Sequence, residues 1–442
     1  MTSTGMRVGG RGAVSFTLGL APITTAYNAD QNNSLVPYPP RCDKPCMSID
    51  KPLSAKHLTA LGFSGALMMA SAMGFGRFSF TPILPGMMAD VPLSAGDAGI
   101  VAAGNFAGYL AGAVLAAYSW GSGRERLVAL CGLFSTAALL LAMAAFNSVA
   151  VFTAIRFLAG VASALTMIFT SQIVIGHAVK AGRDSVQALH YGGVGAGIAI
   201  SSLAVYLIGV VFDGGGSSWR EEWIAGAVFS FITFILVWRV LPAGPPRHAS
   251  SVAEPPLHWT RPLFLTTLAY GLFGFGYVIT ATFIVAIARM AAAGAFVEFL
   301  AWFITGCAAA ISLFLWKPVL KSQGLKRAFV IVLAVEAVGV FASVMLPPVP
   351  GVLAGGLLLG LTFMVITAYG LQLGREFAGP SPRRAFALMT AAFGTGQIVG
   401  PLAAGWIAEA TGSFTAPSIL ASAVLVVSIV LMLPVLATER RR

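Results

Sequence analysis

The sequence predicts an all-α integral membrane protein: twelve transmembrane helices in two pseudo-symmetric six-helix halves. Composition is the first of three observations behind this. Of 442 residues, 57% are hydrophobic and only 10% charged, with a mean hydropathy of +0.85, whereas an ordinary soluble domain is about 25% charged. The second is segmentation. From Leu58 onward apolar runs alternate with short polar breaks, and twelve runs centre near residues 73, 107, 137, 163, 198, 231, 275, 307, 336, 362, 397 and 426. Each approaches the roughly 20 residues that a helix needs to cross a bilayer. The third is a repeat at an offset of 200 residues. Gly274-Phe275-Gly276 repeats Gly74-Phe75-Gly76, Gly160 pairs with Gly360, and the glycine-rich stretch 192–197 corresponds to 394–405. Short segments of period-two alternation are absent from the sequence, which excludes a transmembrane β-barrel.

Taken in order, residues 1–54 are rich in Gly, Ser, Asn, Pro and basic residues and hold no run long enough to span. A disordered tail is expected there. Arg7 and Arg11 before the apolar stretch 13–21 also fit a signal peptide, and Met47 is an alternative start. Residues 55–241 form the first six-helix half. Residues 242–261 form a basic linker containing Pro242, Pro245, Pro246, Pro255 and Pro256, and residues 262–442 form the second half with a short basic tail.

Orientation follows from the placement of Lys and Arg in the loops. The even-numbered connections and the carboxyl tail carry Arg124, Arg126, Lys180, Arg183, Arg239, Arg247, Arg261, Lys317, Lys321, Lys326, Arg327, Arg375, Arg383, Arg384 and Arg440 to Arg442; the odd-numbered ones carry Arg220 and Arg289. Both termini are therefore expected in the cytoplasm of a multi-pass protein of the bacterial inner membrane. Trp120, Trp238 and Trp316 at inner helix ends, with Trp219 and Trp223 at an outer one, fit an interfacial aromatic belt.

The net charge of +11 does not indicate nucleic acid, because the basic residues form no stripe with interleaved aromatics. Cys131 and Cys307 lie inside apolar helices, where small buried hydrophobes are expected. Cys42 and Cys46 have no second pair or histidine cluster to complete a zinc site, and read as reduced thiols. No metal or other cofactor is expected. The glycine-rich segments lack the Lys-Ser/Thr of a phosphate loop.

Gly74 to Phe78 with Thr81-Pro82 and Pro85, Asn105 followed by Gly108 to Gly112, Tyr270-Gly271 with Gly274 to Tyr277, and Gly396 to Pro401 with Ala404-Gly405 together resemble the major facilitator superfamily, and within it the bacterial YbfB/YjiJ-like subgroup. The resemblance covers residues 58 to about 437. Arg156, Gly160, Ala162, Ser163 and Ala164 match a superfamily signature on helix four. The signature between helices two and three is degenerate, with Ala116 and Ala117 near where its charges stand. The resemblance implies a transporter with a solute site between two halves near the membrane midplane, working by alternating access.

Arg77 is the only charge in residues 58–89, and an intramembrane arginine is costly enough, about 3 kcal/mol, to mark a site. Arg77 and Arg156 fall at similar depth and read as an anion clamp, since a guanidinium fork meets carboxylate or phosphate with two parallel hydrogen bonds. The other reading is a structural lock, in which each arginine bonds backbone carbonyls that Gly74, Gly76 and Pro82 free in helix one. Asn105, Tyr277, Thr280, Gln372 and Gln397, with Gln172, sit at cavity depth as further substrate contacts or interhelical hydrogen bonds. Glu336, in the middle of helix nine, and Asp97 are the proton-coupling candidates; Asp97 and Glu298 also read as first-turn acids. His190 reads as a solvated helix-end residue.

These residues predict a secondary active transporter of a small organic solute, anionic by the arginines, whose partners are the bilayer, the solute and protons, working as a monomer. The alternative is efflux of hydrophobic or cationic drug-like compounds, disfavoured by the lack of cavity acids. A remoter one is a non-transporting membrane sensor. An enzyme would need a cluster of His, Asp, Glu or Ser at catalytic spacing, and the sequence shows none.

Overall fold

The structure, a computed structural model, describes residues 54–212, 218–244 and 254–437. The expectations for the amino-terminal tail with Cys42, Cys46 and Met47, for Arg247 and for Arg440 to Arg442 lie outside the described residues. Twelve helices among the described residues are long and apolar enough to cross a membrane. They are α1 Ala55–Asp90, α2 Ala95–Ala117, α3 Glu125–Met143, α4 Val149–Lys180, α5 Asp184–Val211, α6 Trp219–Val240, α7 Arg261–Met290, α8 Ala295–Leu315, α9 Lys317–Met345, α10 Pro348–Phe377, α11 Pro382–Thr411 and α12 Thr415–Ala437. The protein is thus a multi-pass membrane protein. With alternating directions, the starts of α1 and α7 and the end of α12 share one end of the bundle with the Lys- and Arg-bearing connections. This is called the basic end, and the other the far end.

Helix starts follow their local chemistry. Ser54 accepts from the amide of His57 ahead of α1, and Ser94 and Asp97 form a reciprocal capping box at α2, each satisfying amides that an isolated helix end leaves bare. Thr260 does the same for α7, with Pro262 in its first turn. Inside α1, residues Ala70–Phe78 form a π-helical segment, a rare geometry found mostly at functional sites.

The repeat in the sequence is a repeat of contacts. A Cβ on Gly160 would lie 2.1 Å from the carbonyl oxygen of Asn105, and one on Gly360 would lie 2.3 Å from that of Thr305. Each half therefore presses its second and fourth helices together, backbone to backbone, at the same position. The amide of Asn105 donates to the Arg156 carbonyl at 3.0 Å, and the hydroxyl of Thr305 donates to the Gly356 carbonyl at 2.9 Å. These two bonds are also one repeat apart.

The halves meet along three seams, α2 with α11, α5 with α8, and the outer part of α1 with α7. Gly99 packs on the carbonyl of Pro401, Gly405 on that of Ala95, and Gly195 on the backbone of Gly306 and Ala310. At the far end the carboxylate of Glu409 accepts from the Ser94 hydroxyl at 3.0 Å and the Gly96 amide at 3.1 Å, tying α11 to the start of α2.

Two expectations about side-chain placement are corrected. Trp219 and Trp223 are 2% and 0% exposed, inside the bundle rather than in an interfacial belt. Trp219 sits edge-on to Phe152, and burial against α4 supplies what an interface would have. Cys131 and Cys307 are exposed on the outer surfaces of α3 and α8. An apolar helix in a bilayer need not turn a small hydrophobe inward, since lipid is as apolar as protein.

Candidate functional site

The π segment of α1 carries Arg77 to the middle of the seam between halves, where it is 4% exposed. Wide turns leave carbonyls poorly used, and Arg156 of α4, 2% exposed, takes two of them. Its Nη1 donates to the Gly76 carbonyl at 2.9 Å and its Nη2 to the Arg77 carbonyl at 2.8 Å. Charge-assisted bonds of this kind are worth about 1.5–3 kcal/mol each. The fork of Arg156 is thereby committed to backbone, the arrangement of a structural lock. Its side chain fixes the stretch of α1 from which Arg77 projects.

Arg77 is held differently. Its guanidinium lies over the ring of Tyr109, 4.0 Å from the centroid, and near Phe106 at 4.8 Å and Phe78 at 5.5 Å. Ring faces attract a cation and shield it from water. In the guanidinium plane, Nη2 donates to Oε1 of Gln397 on α11 at 2.9 Å. The Gln397 amide in turn donates to the hydroxyl of Tyr277 on α7. Arg77 and Tyr277 are repeat equivalents, so one amide side chain bridges the two matching positions of the halves. Neither Arg77 nor Arg156 forms an ion pair with an acid among the described residues, and Nε of each is buried with no hydrogen-bond partner. A void of about 10 Å³ lies between them, lined also by Phe80, Thr81, Phe106 and Ala281. That is room for about one water molecule.

On the second half, a slab of rings faces this chain. Tyr277 stacks between Phe363 at 6.0 Å and Phe393 at 5.7 Å, with planes within 4° and 3°. Phe273 and Tyr270 extend the slab, at 4.9 Å from Tyr277 and Phe393 respectively. Phe363 and Phe393 carry no polar signature and escape sequence reasoning. For Tyr109 a signal existed, since it lies four residues beyond Asn105 and so on the same helical face.

The remaining candidates separate. Asn105 is buried with its amide given to α4, and its Oδ1 unpartnered. Thr280 is buried with an unpartnered hydroxyl. Gln372 is exposed toward the basic end of α10, and Gln172 has a buried, unpartnered Oε1. These four are not brought to the Arg77–Gln397–Tyr277 chain by any hydrogen bond among the described residues. Asp97 serves the α2 capping box, and Glu298 forms a fork with Arg289 at 2.6–2.8 Å. Glu336 is fully buried and bonded to Thr362 of α10, with Oε1 unpartnered. His190 corrects its expectation: it is 0% exposed, 2.9 Å from the Ser171 hydroxyl, and packed where a Cβ on Gly65 of α1 would reach it. Helix α5 begins six residues earlier, so His190 already lies within the bundle. No group of three or more metal-ligating side chains occurs among the described residues.

Residues 69–433 match the family described as "Uncharacterised MFS-type transporter YbfB". A variant of the nucleoside transporter NupG superimposes with a TM-score of 0.68 at 16% identity, over 85% of this chain and 99% of that one. A bacterial homologue of the human lysosomal transporter Spinster, in an inward-facing and occupied conformation, gives 0.67 at 11% identity, over 88% and 98%. At these identities the likeness is one of fold. No match is found among curated proteins.

Proposed function

Since this chain belongs to the family of MFS-type transporters described by YbfB, we propose that it is a secondary transporter moving a small organic anion by alternating access. The observation that carries the reading is Arg77: a buried cation at the seam with no acid paired to it among the described residues, and an unpartnered Nε. Leaving such a charge uncompensated is costly, and an arriving anion compensates it. The oxygen of Gln397 stands where a carboxylate oxygen would bind. A solute that takes its place breaks the bond between α1 and α11, so binding and the meeting of the halves are coupled. Arg156 is the positioning residue, and Tyr277 holds the displaced amide.

Basic loops favour the cytoplasm, which supports placing the basic end of this bacterial inner-membrane bundle inside. Each bundle holds a complete site between its own halves, which suits a working monomer. For proton coupling, Glu336 is favoured over Asp97, whose carboxylate is engaged in a cap.

A second reading, efflux of lipophilic cations, draws on the ring slab, which would also suit a cation; the charge of Arg77 opposes it. Flux into liposomes holding the purified protein separates the two. Radiolabelled monocarboxylates are expected to move, and Arg77→Gln to abolish that movement. Flux of tetraphenylphosphonium with none of carboxylates would overturn the anion reading.

A further inference from the structure

The guanidinium of Arg77 can be approached in one geometry. Tyr109 and Phe106 lie against it at 4.0 and 4.8 Å, so an anion reaches its N–H groups only in its own plane. That plane carries Nη2, now spent on Gln397, and the unpartnered Nε. A carboxylate fits such an edge, because its two oxygens match two parallel N–H groups.

What lies beyond the carboxylate is set by the second half. Leu110 packs on Gly394 across the α2–α11 seam, which brings the neighbouring residues Tyr109 and Phe393 to one level on facing helices. Phe393 is the partly exposed member of the slab; Tyr270, Phe273, Tyr277 and Phe363 behind it are buried. Tyr270, Phe273 and Tyr277 pack on Phe393 with planes within 22°, a rigid backing for its partly exposed ring, and a flat face gains more from a second flat face than from a puckered one.

We propose that the transported anion is a planar aromatic carboxylate, its carboxylate in the plane of Arg77 and its ring on Phe393. This rests on the anion reading above and narrows it. The solute exchanges the Arg77–Gln397 bond for Arg77–carboxylate, and its ring adds one layer to the slab from the side of the first half. It thus contacts both halves at once, as a solute that couples them must.

The test is ligand-dependent thermal stability and affinity of the full-length purified protein with benzoate, cyclohexanecarboxylate, acetate and benzyl alcohol. Benzoate is expected to bind about two- to tenfold tighter than cyclohexanecarboxylate, and benzyl alcohol not to bind. Phe393→Leu is expected to erase the difference between the two rings, and Arg77→Gln to remove both. The comparison within the wild-type protein stands even if a variant fails to fold. Equal affinity for benzoate and cyclohexanecarboxylate would overturn the aromatic proposal and leave the anion reading intact. No response to any carboxylate, or a benzoate response that survives Arg77→Gln, would overturn both.

Discussion

The hydroxyl of Thr81 donates to the carbonyl of Ala281 at 2.6 Å, joining two residues separated by the repeat offset itself. Equivalent positions of two related halves can touch only beside the axis that relates them, so this bond marks that axis near the far end. Thr81→Val keeps the shape and removes the donor, costing about 1 kcal/mol of far-end closure. Distances between spin labels at the far ends of α2 and α11 are expected to gain a longer population; an unchanged distribution would count against the bond as a closing contact.

Arg156 is expected to matter for stability more than for solute selection. Arg156→Ala strands the carbonyls of Gly76 and Arg77 and should lower the melting temperature by several degrees, at about 1.5–3 kcal/mol for each bond. Arg156→Lys should recover only part, since an ammonium lacks the planar fork. Unaltered stability in Arg156→Ala with loss of solute binding would instead make it a direct contact.

Gly195 and Gly306 face each other on the α5–α8 seam, where a Cβ on either would fall 2.4 Å or less from backbone nitrogen on the other helix. Gly306→Val should prevent this mid-bundle seam from closing as described. Labelling of a cysteine placed at Ala199 by a membrane-impermeant reagent from outside is expected to rise well above its level in the parent protein. A rise from the inner face alone would show that the seam does not gate the outer side.

Gln397→Leu removes the competitor for Arg77 and the tether to Tyr277 together. Carboxylate affinity is expected to rise by about tenfold or more, the equivalent of one charge-assisted hydrogen bond of about 1.5–3 kcal/mol no longer displaced, while turnover falls because binding no longer releases the halves. Affinity and flux falling in parallel would place Gln397 directly on the solute.

Hydropathy and the repeat are local or periodic properties, so the twelve helices and their division were legible in the sequence. Gly160 and Gly360 announced the close helix pairs because only glycine permits that approach. The arginines announced a site because charge is rare in such segments, but not what each fork holds. That depends on carbonyls released by a π segment some 80 residues away in the chain. Trp219, Trp223 and His190 were misplaced for one reason: position along a helix sets depth, while neighbours set burial. Glu409 matters through Ser94 and Gly96 on the opposite half and Phe393 through the rings of α7, and no spacing within α11 reveals either.

The π segment of α1 has a mechanical consequence. A wide turn accommodates a residue more than an α-helical turn does, so α1 carries slack between Ala70 and Phe78. Were that stretch to tighten, everything beyond it would swivel by about 100°, the angle of one residue in an α-helix. Such a stroke would swing Arg77 off the ring of Tyr109 and carry Thr81 away from Ala281, while the lower part of α1 stayed seated on α5. The first helix would then rotate Arg77 without sliding through its neighbours, with the bonds from Arg156 to the Gly76 and Arg77 carbonyls as the contacts that must give way.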